Sequence, residues 1–145
     1  MPNISGSFSG TIRTQTILAL SDQLDHTLSL AAVSGTQKSS DARWNNSKIE
    51  YWGTTDALGG GGVQRGYFVN EHGSEGLDRG TFEGKLSIDG GQPVVAGKWQ
   101  YTGGEGSFAG ITGGGTFKTK LTSPTSLEAT WEGGYELATA KVRAV

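Results

Sequence analysis

The chain has no cysteine among its 145 residues, which excludes disulfide staples and thiolate metal sites outright. Only two histidines are present, His26 and His72. Neither an H-x-H nor an H-E-x-x-H spacing occurs, and two isolated histidines rarely build a metal centre, so no metal and no other cofactor is expected. No G-x-S-x-G elbow occurs, because Ser107 in "GEGSFAG" lies one position out of register for it. No apolar run approaches the roughly 20 residues that span a bilayer, so no membrane partner is expected. The formal net charge of −2 provides no broad basic field for nucleic acid. The opening "MPNISGSFSG" has neither a basic flank nor an apolar stretch. No secretory leader is read there and, with cysteine absent, a cytoplasmic location is expected.

Glycine is abundant, with 25 residues against 3 prolines, and 4 Trp, 4 Tyr and 5 Phe are spread along the chain. Glycine is costly to fix and poor in helices, whereas glycine with spaced aromatics suits an ordered β protein rich in turns and bulges. Alternation with period 2 recurs from end to end. It marks about eight segments, at residues 4–13, 26–36, 48–58, 63–72, 79–88, 94–102, 114–122 and 126–137. Turn signals such as "DGGQP" at 89–93 and "TSPTS" at 122–126 separate them, and links this short favour antiparallel neighbours. Residues 16–25 could form a helical turn, and 37–46 reads as a polar loop carrying one tryptophan. A meander of this kind removes its exposed edges by closing. The expected fold is all-β, one domain over residues 1–145, a closed antiparallel barrel of about eight strands whose interior holds side chains or one small ligand.

The stretch "WQYTGGEGSFAGITGGGTF", residues 99–117, tests this reading. Gly104, Gly106 and Ala109 match the dinucleotide fingerprint G-x-G-x-x-G/A. That fingerprint needs a helix immediately after it to meet the pyrophosphate. The residues after Ala109 are "GITGGGTFKTKL", in which three consecutive glycines would destabilise a helix and period-2 alternation resumes. The segment reads better as a barrel corner, with Phe108 folded under the barrel end as an apolar plug and glycines supplying bulges or positive φ. In this form it resembles the G-x-G-x-F-x-G-x-x-G segment of the allene oxide cyclase and dirigent barrels, within the calycin-like class; the match covers residues 97–120. The resemblance implies an eight-stranded barrel that assembles as a homodimer or homotrimer. It also implies action on a small apolar or aromatic molecule, as a cofactor-free isomerase, cyclase or lyase or as a stereochemical guide. No catalytic residue is carried over from either family.

Candidate site residues come from the strands themselves. On 63–72 the odd positions interleave Arg65, Tyr67 and Glu71 with valines; on 48–58, Glu50 and Trp52 share a face. If these point inward, a cation, a phenol and acids stand beside aromatic walls, a set able to orient a carbonyl or enolate. The even positions Gln64, Gly66, Phe68 and Asn70 remain open as the inner face, which would leave Arg65 and Glu71 as ordinary surface charges. His26, beside Asp25, is a further acid–base candidate or a solvated loop-end pair. Trp52, Trp99, Tyr101, Trp131, Tyr135 and Phe108 are candidate ligand contacts, with simple core packing as the alternative for Trp99 and Trp131. An inward acid–base pair separates the expected enzyme from its rival, a lipocalin-like carrier without turnover.

Overall fold

The computed structural model describes residues 3–138. Eight strands form one closed antiparallel barrel in chain order: β1 (Asn3–Ala19), β2 (His26–Ser39), β3 (Lys48–Leu58), β4 (Gly61–Glu71), β5 (Gly76–Asp89), β6 (Gln92–Gly106), β7 (Thr112–Ser123) and β8 (Ser126–Glu136). A short 3-10 turn, Gly73–Glu75, joins β4 to β5. The residues read from sequence as a possible helical turn begin instead as the end of β1, where Thr16 to Ala19 pair with Leu30 to Thr27 of β2. Their β-branched content suits a strand. This end of β1 projects past β8, whose pairing with β1 runs only from Asn3 to Thr11.

Side-chain parity divides each strand into an inner and an outer row. The inner rows carry Phe8, Val33, Tyr51, Phe68, Trp99 and Ala129 among the buried residues. Their rings meet mostly edge-on: Tyr51 and Phe82 at 5.3 Å, Trp99 and Tyr101 at 5.0 Å, Trp99 and Trp131 at 5.9 Å. Pairs of this geometry each contribute about 0.5–1.5 kcal/mol beyond the area they bury.

Many of the glycines belong to this packing rather than to turns. A Cβ placed on Gly6 would lie 2.5 Å from the Trp131 ring, one on Gly80 would lie 2.6 Å from Phe68, and one on Gly84 would lie 2.8 Å from Val95. These three inward glycines are therefore slots into which neighbouring large side chains fit, an alternation of small and large residues that fills a narrow barrel. Bulges opposite Arg79/Gly80, after Ile12 and after Leu121 shift the register where strands bend.

The slot reading has a direct check. Gly6→Ala is expected to cost about 1–3 kcal/mol by overpacking against Trp131, measured by urea denaturation. A variant as stable as the parent would show that Trp131 does not need that space.

Candidate functional site

One end of the barrel is closed by two loops. The β2–β3 loop folds back on itself: Asn46 N–H donates to the Gln37 carbonyl at 2.8 Å, and Gln37 N–H to that of Ser47 at 2.8 Å. This drives Trp44 into the barrel end, where it has no exposed surface. The β6–β7 corner brings in Phe108, also fully buried, through a tight turn between Gly106 (φ 65) and Gly110 (φ 76). The His72 ring stacks on Phe108 at 4.0 Å, and Trp44 packs edge-on to both at 5.4 Å. Phe108 is thus an end plug, and the 99–117 segment is a corner with no helix after it.

Beneath this plug runs a chain of buried polar side chains. Trp131 Nε1–H donates to Gln37 Oε1 at 2.9 Å, Gln37 Nε2 to Asn70 Oδ1 at 3.1 Å, and Asn70 Nδ2 to Asp78 Oδ1 at 2.8 Å. The second carboxylate oxygen, Asp78 Oδ2, accepts from Trp44 Nε1 at 3.0 Å and faces His72 Nε2 at 2.6 Å. The Asp78 and His72 side chains are 0% and 1% exposed. His72 Nδ1 lies 2.8 Å from the Arg43 carbonyl oxygen, so it must carry a hydrogen and donate it. One further proton lies between Nε2 and Oδ2. Beside this pair, Tyr135 donates to Asp41 Oδ2 at 2.8 Å and accepts from Arg43 Nη1 at 3.2 Å. Burial, then the bond to Asp41, raises the Tyr135 phenol above its ordinary value.

A cavity occupies the barrel interior on the other side of the amides. Its volume is about 70 Å³, and all eight strands contribute to its wall. Phe68, Phe82, Trp99 and Trp131 supply the apolar surface, and Gln37 and Asn70 a polar patch. Tyr51 and Tyr101 also line it. Burial pushes both phenols far above their ordinary range, with the Asp78 charge adding to the effect at Tyr101, so both stay protonated.

The sequence candidates distribute differently from the expectation. On β4 the even parity faces inward: Phe68 and Asn70 are buried, while Tyr67 is 65% exposed. Arg65 lies on the outer wall 3.6 Å from Glu83, with both side chains about two-thirds exposed. Glu71 is exposed as well. On β3 the inner row runs through Ile49 and Tyr51, which turns Glu50 and Trp52 outward; Trp52 pairs across the outer face with Tyr67. The inward cation–phenol–acid set is therefore corrected: Arg65, Tyr67, Glu50 and Glu71 stand on the outer surface, and so does Trp52. Of the remaining ligand candidates, Trp99, Tyr101 and Trp131 line the cavity, whereas Phe108 and Tyr135 belong to the closed end.

His26 sits at the opposite end of the barrel. Its Nδ1 faces both oxygens of Asp22 at 2.8 and 2.9 Å, and Nε2 faces Asp56 at 2.7 Å, tying the β1–β2 turn to β3. The neighbour Asp25, with φ 55, shapes the turn instead of pairing with the ring. Among the described residues, no group of three or more His, Asp or Glu side chains is arranged to hold a metal ion.

Sequence reasoning missed Asp78, His72, Trp44 and the two amides as a unit. The available signals were polar residues on the same parity as Phe68 and Phe82, and a lone tryptophan in a polar loop. The chain matches no family model and no curated protein.

Two measurements test the closed end and the clasp. Asp78→Ala removes the partner of three groups and is expected to cost about 3–5 kcal/mol, whereas Trp44→Phe, which removes one donor, should cost about 1–3 kcal/mol; equal and small losses in denaturant titrations would contradict the network. The bond to Asp22, then that to Asp56, raises His26 above its ordinary 6.5. The bond to His26 lowers Asp22 below its ordinary 3.8. The histidine's contribution is complete below pH 6.5 and lost as pH rises through its raised value, while that of Asp22 is complete above 3.8 and lost as pH falls through its lowered value. The clasp is therefore strongest between about pH 4 and 6.5. An NMR titration of His26 with a midpoint at or below 6.5 would rule it out.

Proposed function

We propose that the chain is a lumenal binding protein for one small, largely apolar molecule. The supporting observation is the composition of the cavity wall: aromatic rings and neutral polar groups, with every candidate acid or base from β3 and β4 on the outer surface. An apolar pocket with a few convergent polar groups is the usual form of a small-molecule site. The neutrality of the wall favours carriage or presentation of the ligand over acid–base turnover.

The resemblance of residues 97–120 to the allene oxide cyclase and dirigent barrels supports the same location for the ligand. It also supports a second reading, a cofactor-free rearrangement guided by the shape of the wall. One observation favours that alternative: the Asp78–His72 pair stands a single hydrogen bond behind Asn70, which itself lines the cavity.

Titration with toluene tests the binding reading. Saturable one-to-one binding is expected by calorimetry. Ala129→Leu, which extends a side chain of the cavity wall, should weaken it tenfold or more, about 1.4 kcal/mol, with the β-sheet circular dichroism retained. Absence of saturable binding, or an Ala129→Leu protein that folds and binds as before, would remove the lumen as the site.

A further inference from the structure

We infer that the lumenal ligand is a neutral, single-ring molecule bearing a hydrogen-bond-accepting oxygen, such as an aryl ketone, and that the amide N–H groups of Gln37 and Asn70 hold this oxygen. The inference rests on the binding reading above and adds the ligand's chemistry to it.

The orientation of both amides is set from the two ends of their chain. Trp131 Nε1–H can only donate, so the oxygen of Gln37 faces it. At the other end Asp78 Oδ1 accepts, so the nitrogen of Asn70 faces it. Between them, Gln37 nitrogen meets Asn70 oxygen, which is the only pairing these two choices allow. Each NH2 group thereby uses one hydrogen and keeps a second. Gln37 and Asn70 are 2% and 4% exposed, and both line the cavity. Bulk water does not reach these hydrogens freely. A buried N–H left without an acceptor is rarer in proteins than a carbonyl with one empty lone pair. The polar patch therefore asks for an acceptor more than for a donor.

Three further observations narrow the ligand. Tyr51 and Tyr101 line the same cavity, and neither hydroxyl bonds to another group among the described residues. Held protonated by burial, they offer two more O–H donors. None of the residues lining the cavity carries a cationic side chain, so an anionic ligand would lose its hydration there without a charge to pair with. The space of about 70 Å³ is about half the ~150 Å³ of the apolar cavity that accepts benzene. A cavity of that size sets a single ring as the upper limit and excludes a fused polycycle.

The test uses the full chain and three ring compounds of nearly equal shape. Acetophenone carries the carbonyl, α-methylstyrene replaces its oxygen with CH2, and benzoate carries a charge. Calorimetric titration should show acetophenone binding at least tenfold more tightly than α-methylstyrene, with benzoate weaker than either. In ¹H–¹⁵N spectra, one hydrogen of each side-chain NH2 pair of Gln37 and Asn70 should shift with acetophenone and stay fixed with α-methylstyrene. Equal affinity for the two neutral compounds, or tighter binding of benzoate, would overturn the inference and leave the lumenal reading standing. Failure of both neutral compounds to bind would remove that reading along with it.

Discussion

The Asp78 carboxylate organises the closed end of the barrel because it has no water to turn to. With no exposed surface, it must draw every hydrogen bond from the chain, and it draws them from three separate segments. Trp44 reaches it from the β2–β3 loop, Asn70 from the end of β4, and His72 from the turn before β5. Burying an ion costs several kcal/mol after relaxation. Hydrogen bonds to a charged group return about 1.5–3 kcal/mol each, so three of them are of the size needed to offset that cost. The geometry of the loop, the strand end and the turn is therefore coupled through one anion. His72 extends the coupling by donating onward to the Arg43 carbonyl, one residue from Trp44.

The same anion gives direction to the barrel interior. Donors run from Trp131 through both amides toward Asp78, and a chain in which each bond polarises the next is stiffer than its members taken singly. Its apolar counterpart is the fit of rings into glycine slots. Trp131 belongs to both systems, because its indole N–H begins the polar chain while its ring occupies the space that Gly6 leaves open. Wall and polar patch are thus positioned by one side chain, which is what a site needs if its donors are to stay aimed without a ligand.

Much of the architecture was legible in the sequence because alternation and turn residues are local signals. β3 coincides with its expected span at 48–58, and the corner at Phe108 was readable from glycines that a helix would not tolerate. The face of β4 was not legible. Its odd row mixes valine with Arg65, Tyr67 and Glu71, and its even row mixes Phe68 with Gln64 and Asn70, so neither row is cleanly apolar. Only closure of the barrel decides between them, by setting Phe68 against Tyr101 and Trp99. The Asp78 network was hidden for a different reason. Its members lie far apart in the chain, at 37, 44, 70, 72, 78 and 131, and nothing local to any of them signals a partner.

The position of Asp78 also explains why the middle of the barrel is neutral. Along a closed ladder the backbone N–H groups are committed to neighbouring strands, so a carboxylate at mid-barrel could find donors only among side chains, each of which would take up part of a narrow cross-section. At the end of the barrel the constraint relaxes, because a loop can deliver an indole and a turn can deliver an imidazole from outside the wall. That is where Asp78 lies. The acids and the arginine of β3 and β4 meet the same constraint in the opposite way: with no such donors at mid-strand they face water, and Arg65 and Glu83 stand well exposed at 3.6 Å. What reaches the lumen from the buried Asp78 is its hold on Asn70, whose amide it fixes with the oxygen toward Gln37 and one N–H left over.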